Sequence, residues 1–207
     1  NITGLIVGMS SPILILLWIY DEVSFDRFHE NKDLLYQAWN RGTYDGKLQC
    51  WRSTPKALGP ALEKEYPDID QVSRGLTQWF VTAGGENKLS TQAMIADPSF
   101  LSMFSFPFVK GNKATALQDM YSMVVTEKFA KKMFGTTDVM NKVIRIGSNN
   151  FTVTGILKDL PSNSKFEFEY ILPWKYMKAA GLDDDDWGNN SIDTYVQLKP
   201  GATGEAV

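Results

Sequence analysis

Residues 13–36 read ILILLWIYDEVSFDRFHENKDLLY, and their reading decides how the rest of the chain is organised. Here an uncharged apolar segment turns into a water-facing domain. The first twenty residues contain no Asp, Glu, Lys or Arg, so every charged residue follows Tyr20. As a helix, residues 1–20 would extend about 30 Å, near the hydrocarbon thickness of a bilayer. Trp18 and Tyr20 stand at the charged end, where amphipathic rings favour a membrane–water interface. Gly4, Gly8, Ser10 and Ser11 recur about once per helical turn, as on small-residue faces that let membrane helices approach. A buried core helix is the alternative, because the unbroken apolar run covers only residues 12–20. A cleaved signal peptide fits less well, since no basic region or small-x-small site precedes Asp21. Residues 1–20 are therefore expected to be part of a transmembrane helix, with Pro12 tolerated where neighbours satisfy the backbone it frees. Asp21-Glu22 follow without Gly or Pro, so the helix is expected to continue past the bilayer surface. Phe25 and Phe28 are expected to share a helical face and anchor this extension to the domain.

The remaining 187 residues, counted from the full 207, allow one domain or two small ones. A 43% hydrophobic and 22% charged composition supports a real core. The net charge of −3 argues against a nucleic-acid surface, which needs a basic stripe. One cysteine, Cys50, excludes an internal disulfide, and one histidine, His29, leaves little for triad or His-based metal chemistry.

Patterning predicts alternating strands and short helices. Asn31 is placed as the cap of a short turn before a strand over 34–43. Thr54-Pro55 reads as a helix start, with Pro67 as its stop and Pro60 as a kink. Strands over 72–81 and 89–96 flank a Gly84-Gly85-Glu86-Asn87 turn, and Asp97-Pro98 opens a short helix. A strand over 123–126 leads to a helix capped by Thr126 and closed by Gly135. Segments 143–146 and 151–158 predict a hairpin, and 166–172 alternates as a half-buried strand. Pro173 opens a helix that Gly181 closes, 194–198 forms a last strand, and 202–207 begins a further helix. More protein is expected to follow. No repeat or flexible linker divides the chain, and the irregular alternation favours an α+β fold over a doubly wound sheet.

Few residues suggest chemistry. Asp183 to Asp186 offers oxygens for Ca²⁺, but consecutive side chains do not converge, so a solvated acidic loop is favoured. The phenylalanines of 104–108 are read as buried packing rather than a ligand box. His29, flanked by Asp26 and Glu30, has no nucleophile or metal placed beside it and is read as structural. Residues 159–164, DLPSNS, are read as a turn. No glycine-rich phosphate loop or G-x-S-x-G is present. No catalytic, cofactor-binding or metal residue is expected, and no cofactor.

The run YDEVSFDRFHENKDLLYQ (20–37) resembles the junction after the first membrane helix of MacB/FtsX-type ABC transporter permeases. TPKALGPALEKEYPDI (54–69), ADPSFLSMFSFPFVKG (96–111), VVTEKFAKKMFG (124–135), FTVTGILKDLPSNSKFEF (151–168) and TYVQLKPGA (194–202) follow in that family's order. One departure is Asn141-Lys142, where the family usually has Gly-Lys; Asn tolerates the left-handed backbone that glycine often supplies. The resemblance implies a two-lobed MacB-like periplasmic core domain over residues 21–207. Its porter-like βαβ part would include about 34–85 and 192–199, with an inserted lobe over about 89–188. It also implies work that is mechanical, not catalytic: a cytoplasmic ABC ATPase closes on ATP, and membrane helix one carries the motion to the periplasm. Implied partners are that ATPase, a second permease copy forming a dimer, the inner membrane, and a periplasmic adaptor, outer-membrane channel or envelope enzyme. No nucleic-acid partner is implied. Export or extraction of a substrate is the leading expectation. A periplasmic peptide-binding or sensing domain that regulates an envelope partner is the alternative, distinguished by a ligand-dependent rise in Tm. An enzyme is disfavoured by the missing constellations.

Overall fold

The computed structural model describes residues 2–204, without the side chains of residues 2–5 and 7. It is an α+β fold. In chain order the elements are α1 (Ile2–Ser24), a 3₁₀ turn (Lys32–Leu34), β1 (Leu35–Ala38), β2 (Asn40–Tyr44), β3 (Lys47–Trp51), β4 (Thr54–Pro55), α2 (Leu58–Glu65), β5 (Ile69–Gly84) and β6 (Asn87–Ala96). These are followed by α3 (Phe100–Met103), β7 (Phe108–Gly111), β8 (Ser122–Thr126), α4 (Glu127–Phe134), β9 (Val143–Ile146), β10 (Asn149–Leu157), β11 (Tyr170–Pro173), α5 (Trp174–Ala179) and β12 (Asn190–Leu198).

One ten-stranded mixed sheet runs β1-β12-β5-β6-β11-β8-β10-β7, with β4 added to β12 and β9 to β10. Strand β9 also reaches the far end of β5, pairing Thr82 with Ile146 and Ala83 with Arg145. The pairings β5-β6-β11-β8-β10-β9-β5 therefore close a ring. Its filling is apolar: Ile95, Met123, Ile144, Phe151, Val153 and Tyr170 come from the strands. Phe129 and Met133 of α4 and Trp174 of α5 complete that core. Every residue of β8 is buried, as expected for a central strand covered on both faces. A second core, with Phe100, Phe104, Phe106, Phe166 and Phe168, packs on the other side of the sheet. The phenylalanine-rich segment is thus packing, with Phe104 and Phe106 each 5% exposed.

Local signals placed many boundaries. Thr126 Oγ1 accepts the Phe129 N–H at 3.2 Å, and Gly135 ends α4 at φ +71°. Thr126→Ala should lower stability by about 1 kcal/mol, read as a shifted urea midpoint at constant m-value. Asn141 does adopt a left-handed φ of +63°. Other expectations need correction. Helix α2 starts at Leu58, because Thr54-Pro55 pairs with β12 instead. Pro60 then falls in the first helical turn, where its missing N–H has no partner to lose, so it does not kink the helix. Residues 166–169 alternate in burial, but ladder pairing begins only at Tyr170. The predicted strand over 34–43 is divided between β1 on the main sheet and β2 in a separate two-stranded sheet with β3. Asn31 precedes the 3₁₀ turn without a side-chain cap bond. Residues 202–204 are not helical, and 205–207 of the expected final helix lie outside the described residues.

Helix α1 continues past Asp21-Glu22 to Ser24. Among the described residues, no helix is long and apolar enough to cross a membrane. The polar Ser10-Ser11 pair and Asp21-Glu22 leave only residues 12–20 as a continuous apolar stretch.

Candidate functional site: the junction between helix α1 and the sheet

Helix α1 ends where Asp26 turns left-handed, at φ +54°, a conformation a short polar side chain tolerates. The following turn is stitched to a segment some 139 residues away. The Asp26 N–H donates to the Asn163 carbonyl at 3.0 Å, and the Lys165 N–H donates back to Asp26 Oδ1 at 2.9 Å. Asn163 Nδ2 donates to Ser24 Oγ at 2.8 Å and to the Ser24 carbonyl at 3.3 Å. The helix terminus and the turn after it are thereby held by one loop.

Two further contacts extend the clasp. The Glu30 N–H donates to Ser105 Oγ at 3.0 Å, and the Ser105 N–H donates to His29 Nδ1 at 3.1 Å. His29 is 4% exposed, and its Nε2 has no hydrogen-bond partner among the described residues. Phe28, Phe104, Phe106 and Phe166 surround its ring, with centroids 4.0, 5.1, 5.3 and 6.2 Å away. Lys165 Nζ lies 5.0 Å from the centre of the Tyr195 ring and donates to Gln37 Oε1. Gln37 Nε2 in turn donates to Asp193 Oδ1 of β12 at 3.1 Å. Phe25 is not an anchor: the helix ends before it, and its side chain is 47% exposed. Phe28 does pack against the phenylalanine core.

A second clasp ties the end of α5 to β5. Arg74 sends Nε and Nη2 to the two oxygens of Asp97, both at 2.9 Å, and Nη1 to Asp183 Oδ1 at 3.2 Å. Its guanidinium lies 4.4 Å from the centre of the Trp174 ring. Lys56, itself buried, donates to Asp184 Oδ2 at 2.5 Å and holds that carboxyl below the usual range. The acidic run is therefore only half solvated: Asp183 and Asp184 grip cations, while Asp185 and Asp186 are exposed. Among the described residues, no group of three or more His, Cys, Asp or Glu is placed to hold a metal ion.

The residues weighed singly in the sequence thus meet in space. His29, the 104–106 segment and the 159–165 turn form one junction, which sequence reasoning missed. The available signal was the density of Asp, Ser and Asn in SFDRFHEN and DLPSNS, residue types that hydrogen-bond local backbone.

The MacB-like periplasmic core domain profile matches residues 1–207. Among solved structures, a domain of a protein named as a permease from Porphyromonas gingivalis matches at 26% identity and TM-score 0.75, covering 86% of this chain and 78% of that one. The periplasmic region of MacB from Actinobacillus actinomycetemcomitans matches at 12% identity and TM-score 0.60, covering 84% and 78%. The extracellular domain of the noncanonic ABC-type transporter YknZ from Gram-positive bacteria matches at 16% identity and TM-score 0.54, covering 72% and 74%. The last two likenesses show the fold alone. No curated protein sequence matches the chain. With the family profile matched from end to end and the fold shared, the chain belongs to the MacB-like periplasmic core domain family of ABC transporter permeases.

Proposed function

We propose that this domain transmits ATP-driven motion from a cytoplasmic ABC ATPase to the periplasmic side of the inner membrane, where export or extraction of a substrate occurs. In this reading residues 1–20 are part of the first membrane helix, and residues 21–207 lie in the periplasm. The permease works as a dimer, and a periplasmic adaptor, outer-membrane channel or envelope enzyme receives the motion. The domain itself performs no catalysis. In this reading the porter-like part covers about 34–85 with 192–199 and the inserted lobe about 89–188; β5, in the porter-like part, pairs with β12 and, through β6 and β9, with the closed ring.

The observation that carries the proposal is the exit of α1. The helix runs to Ser24 without a break, and Ser24 and Asp26 are then fixed to Asn163 and Lys165. A stiff helix pinned at its end passes displacement into the body it is pinned to, whereas a flexible tether absorbs it.

The topology is tested with the native Cys50, which is exposed on β3. A membrane-impermeant maleimide should label Cys50 in intact cells with a permeabilised outer membrane, and Cys50→Ser should abolish the signal. Labelling only after lysis would place the domain on the cytoplasmic side and overturn the reading.

A further inference from the structure

The hydrogen bond that holds the His29 ring in the junction is one that only the neutral imidazole can accept. Nδ1 accepts the Ser105 N–H, so the ring proton lies on Nε2. A second proton would have to enter at Nδ1, facing the Ser105 N–H. Two donors would then confront each other, and the hydrogen bond between the exit turn and the loop linking α3 to β7 would be lost. We propose that protonation of His29 unlocks the turn after α1 from the loop linking α3 to β7, making the junction an acid-sensitive latch.

The surroundings decide against a tolerated imidazolium. Its walls are Phe28, Phe104, Phe106 and Phe166, which bring no hydrogen-bond acceptor. Attraction of a cation to aromatic faces is small beside the cost of stripping it of water without a partner. Asp26, on the same turn, is the carboxylate that favours the charged ring. Its Oδ1 is already engaged by the Lys165 N–H. Lys32, which is paired with Asp33, and Lys165 line the same hollow as His29, and Tyr36 of β1 and Tyr195 of β12 add phenols. The segment after α3 contributes Phe104, Ser105 and Phe106, which do not titrate.

Burial lowers the His29 pKa from its ordinary 6.5, and the charge of Asp26 only partly offsets this. The sign follows. The closed junction binds fewer protons than the open one, so it is fully stabilised above pH 6.5 and weakens as pH falls toward the closed-state value. One proton gives up to about a tenfold rise in the open fraction per pH unit in that window. Opening stays local because the turn is tied down by a few bonds, while the ring core remains packed. On the force-transmitting reading, this loosens α1 from the domain; the latch itself is tested without any transport measurement.

The test is amide hydrogen exchange on the 207-residue chain in detergent micelles between pH 7.5 and 5.0, corrected for intrinsic exchange. The amides of Asp26, Glu30, Ser105 and Lys165 should lose protection below pH 6.5, by up to about tenfold per pH unit. The amides of Phe129 in α4 and of its C-cap Gly135 should hold theirs. In His29→Asn, whose carboxamide oxygen replaces the Nδ1 acceptor without titrating in this range, the pH dependence should disappear. The chain has one histidine, so its imidazole NMR signal independently reports the titration, and its midpoint should lie below 6.5. Protection independent of pH, equal loss at α4, the same slope in His29→Asn, or a midpoint at or above 6.5 would each overturn the latch.

Discussion

Arg74→Met should destabilise the domain by about 3–5 kcal/mol, the range for removing one partner of a buried ionic cluster. The Arg74 side chain is 14% exposed, and its two carboxylate partners are 22% and 14% exposed. Methionine fills much of the volume against Trp174 but leaves Asp97 and Asp183 without their shared cation, Asp97 keeping only the Arg74 backbone N–H. The loss then comes mainly from uncompensated charge. Two further variants separate the causes. Arg74→Lys keeps the charge but not the planar fork that meets both Asp97 oxygens, so it should lie between wild type and Arg74→Met. Asp97→Asn with Asp183→Asn, added to Arg74→Met, should recover part of the lost stability by removing the stranded charges. Urea unfolding measures all three. A loss below about 1 kcal/mol for Arg74→Met would reduce the cluster to an ordinary surface pair.

How much of this was legible in the sequence depended on how local the cause was. Thr126 and Gly135 bounded α4 because a cap and a left-handed glycine act within one helical turn. The turn at Gly84 to Asn87 was equally legible, since β5 and β6 pair directly across it. Thr54-Pro55 carried a good helix-start signal and still became strand, because β12, distant in sequence, offered it backbone partners. The parallel pairing of β6 with β11 and the closure of β9 on β5 depend on contacts without a local sequence signature. The same holds for both clasps. Asp183 resembles its three neighbours in the sequence, and only the fold brings Arg74 to it. Asp26 and Asn163 lay in two recognisable motifs, yet nothing in either named the other as its partner.

Inserting about six Gly/Ser residues between Glu22 and Val23 should have the largest functional effect. The insertion falls inside α1 with only Val23 between it and Ser24; it removes the Ser24 hydroxyl bond to the Asp21 carbonyl but none of the bonds that tie Ser24 and Asp26 to Asn163 and Lys165. The domain should therefore fold with its native urea midpoint. Six flexible residues span roughly 13 Å as a coil, so displacement of the helix is taken up in the insert and not delivered to the sheet. ATP hydrolysis, which belongs to the cytoplasmic partner in this reading, should persist near its basal rate. A rigid insert of similar length, rich in Ala, Glu and Lys, restores a continuous helix and should preserve more output than the flexible one. The direct measurement is envelope output per ATP hydrolysed by the full transporter, at matched expression, for the native junction and the Gly/Ser insert. The account predicts that this ratio collapses with the flexible insert while hydrolysis continues; an unchanged ratio would contradict transmission through the α1 junction.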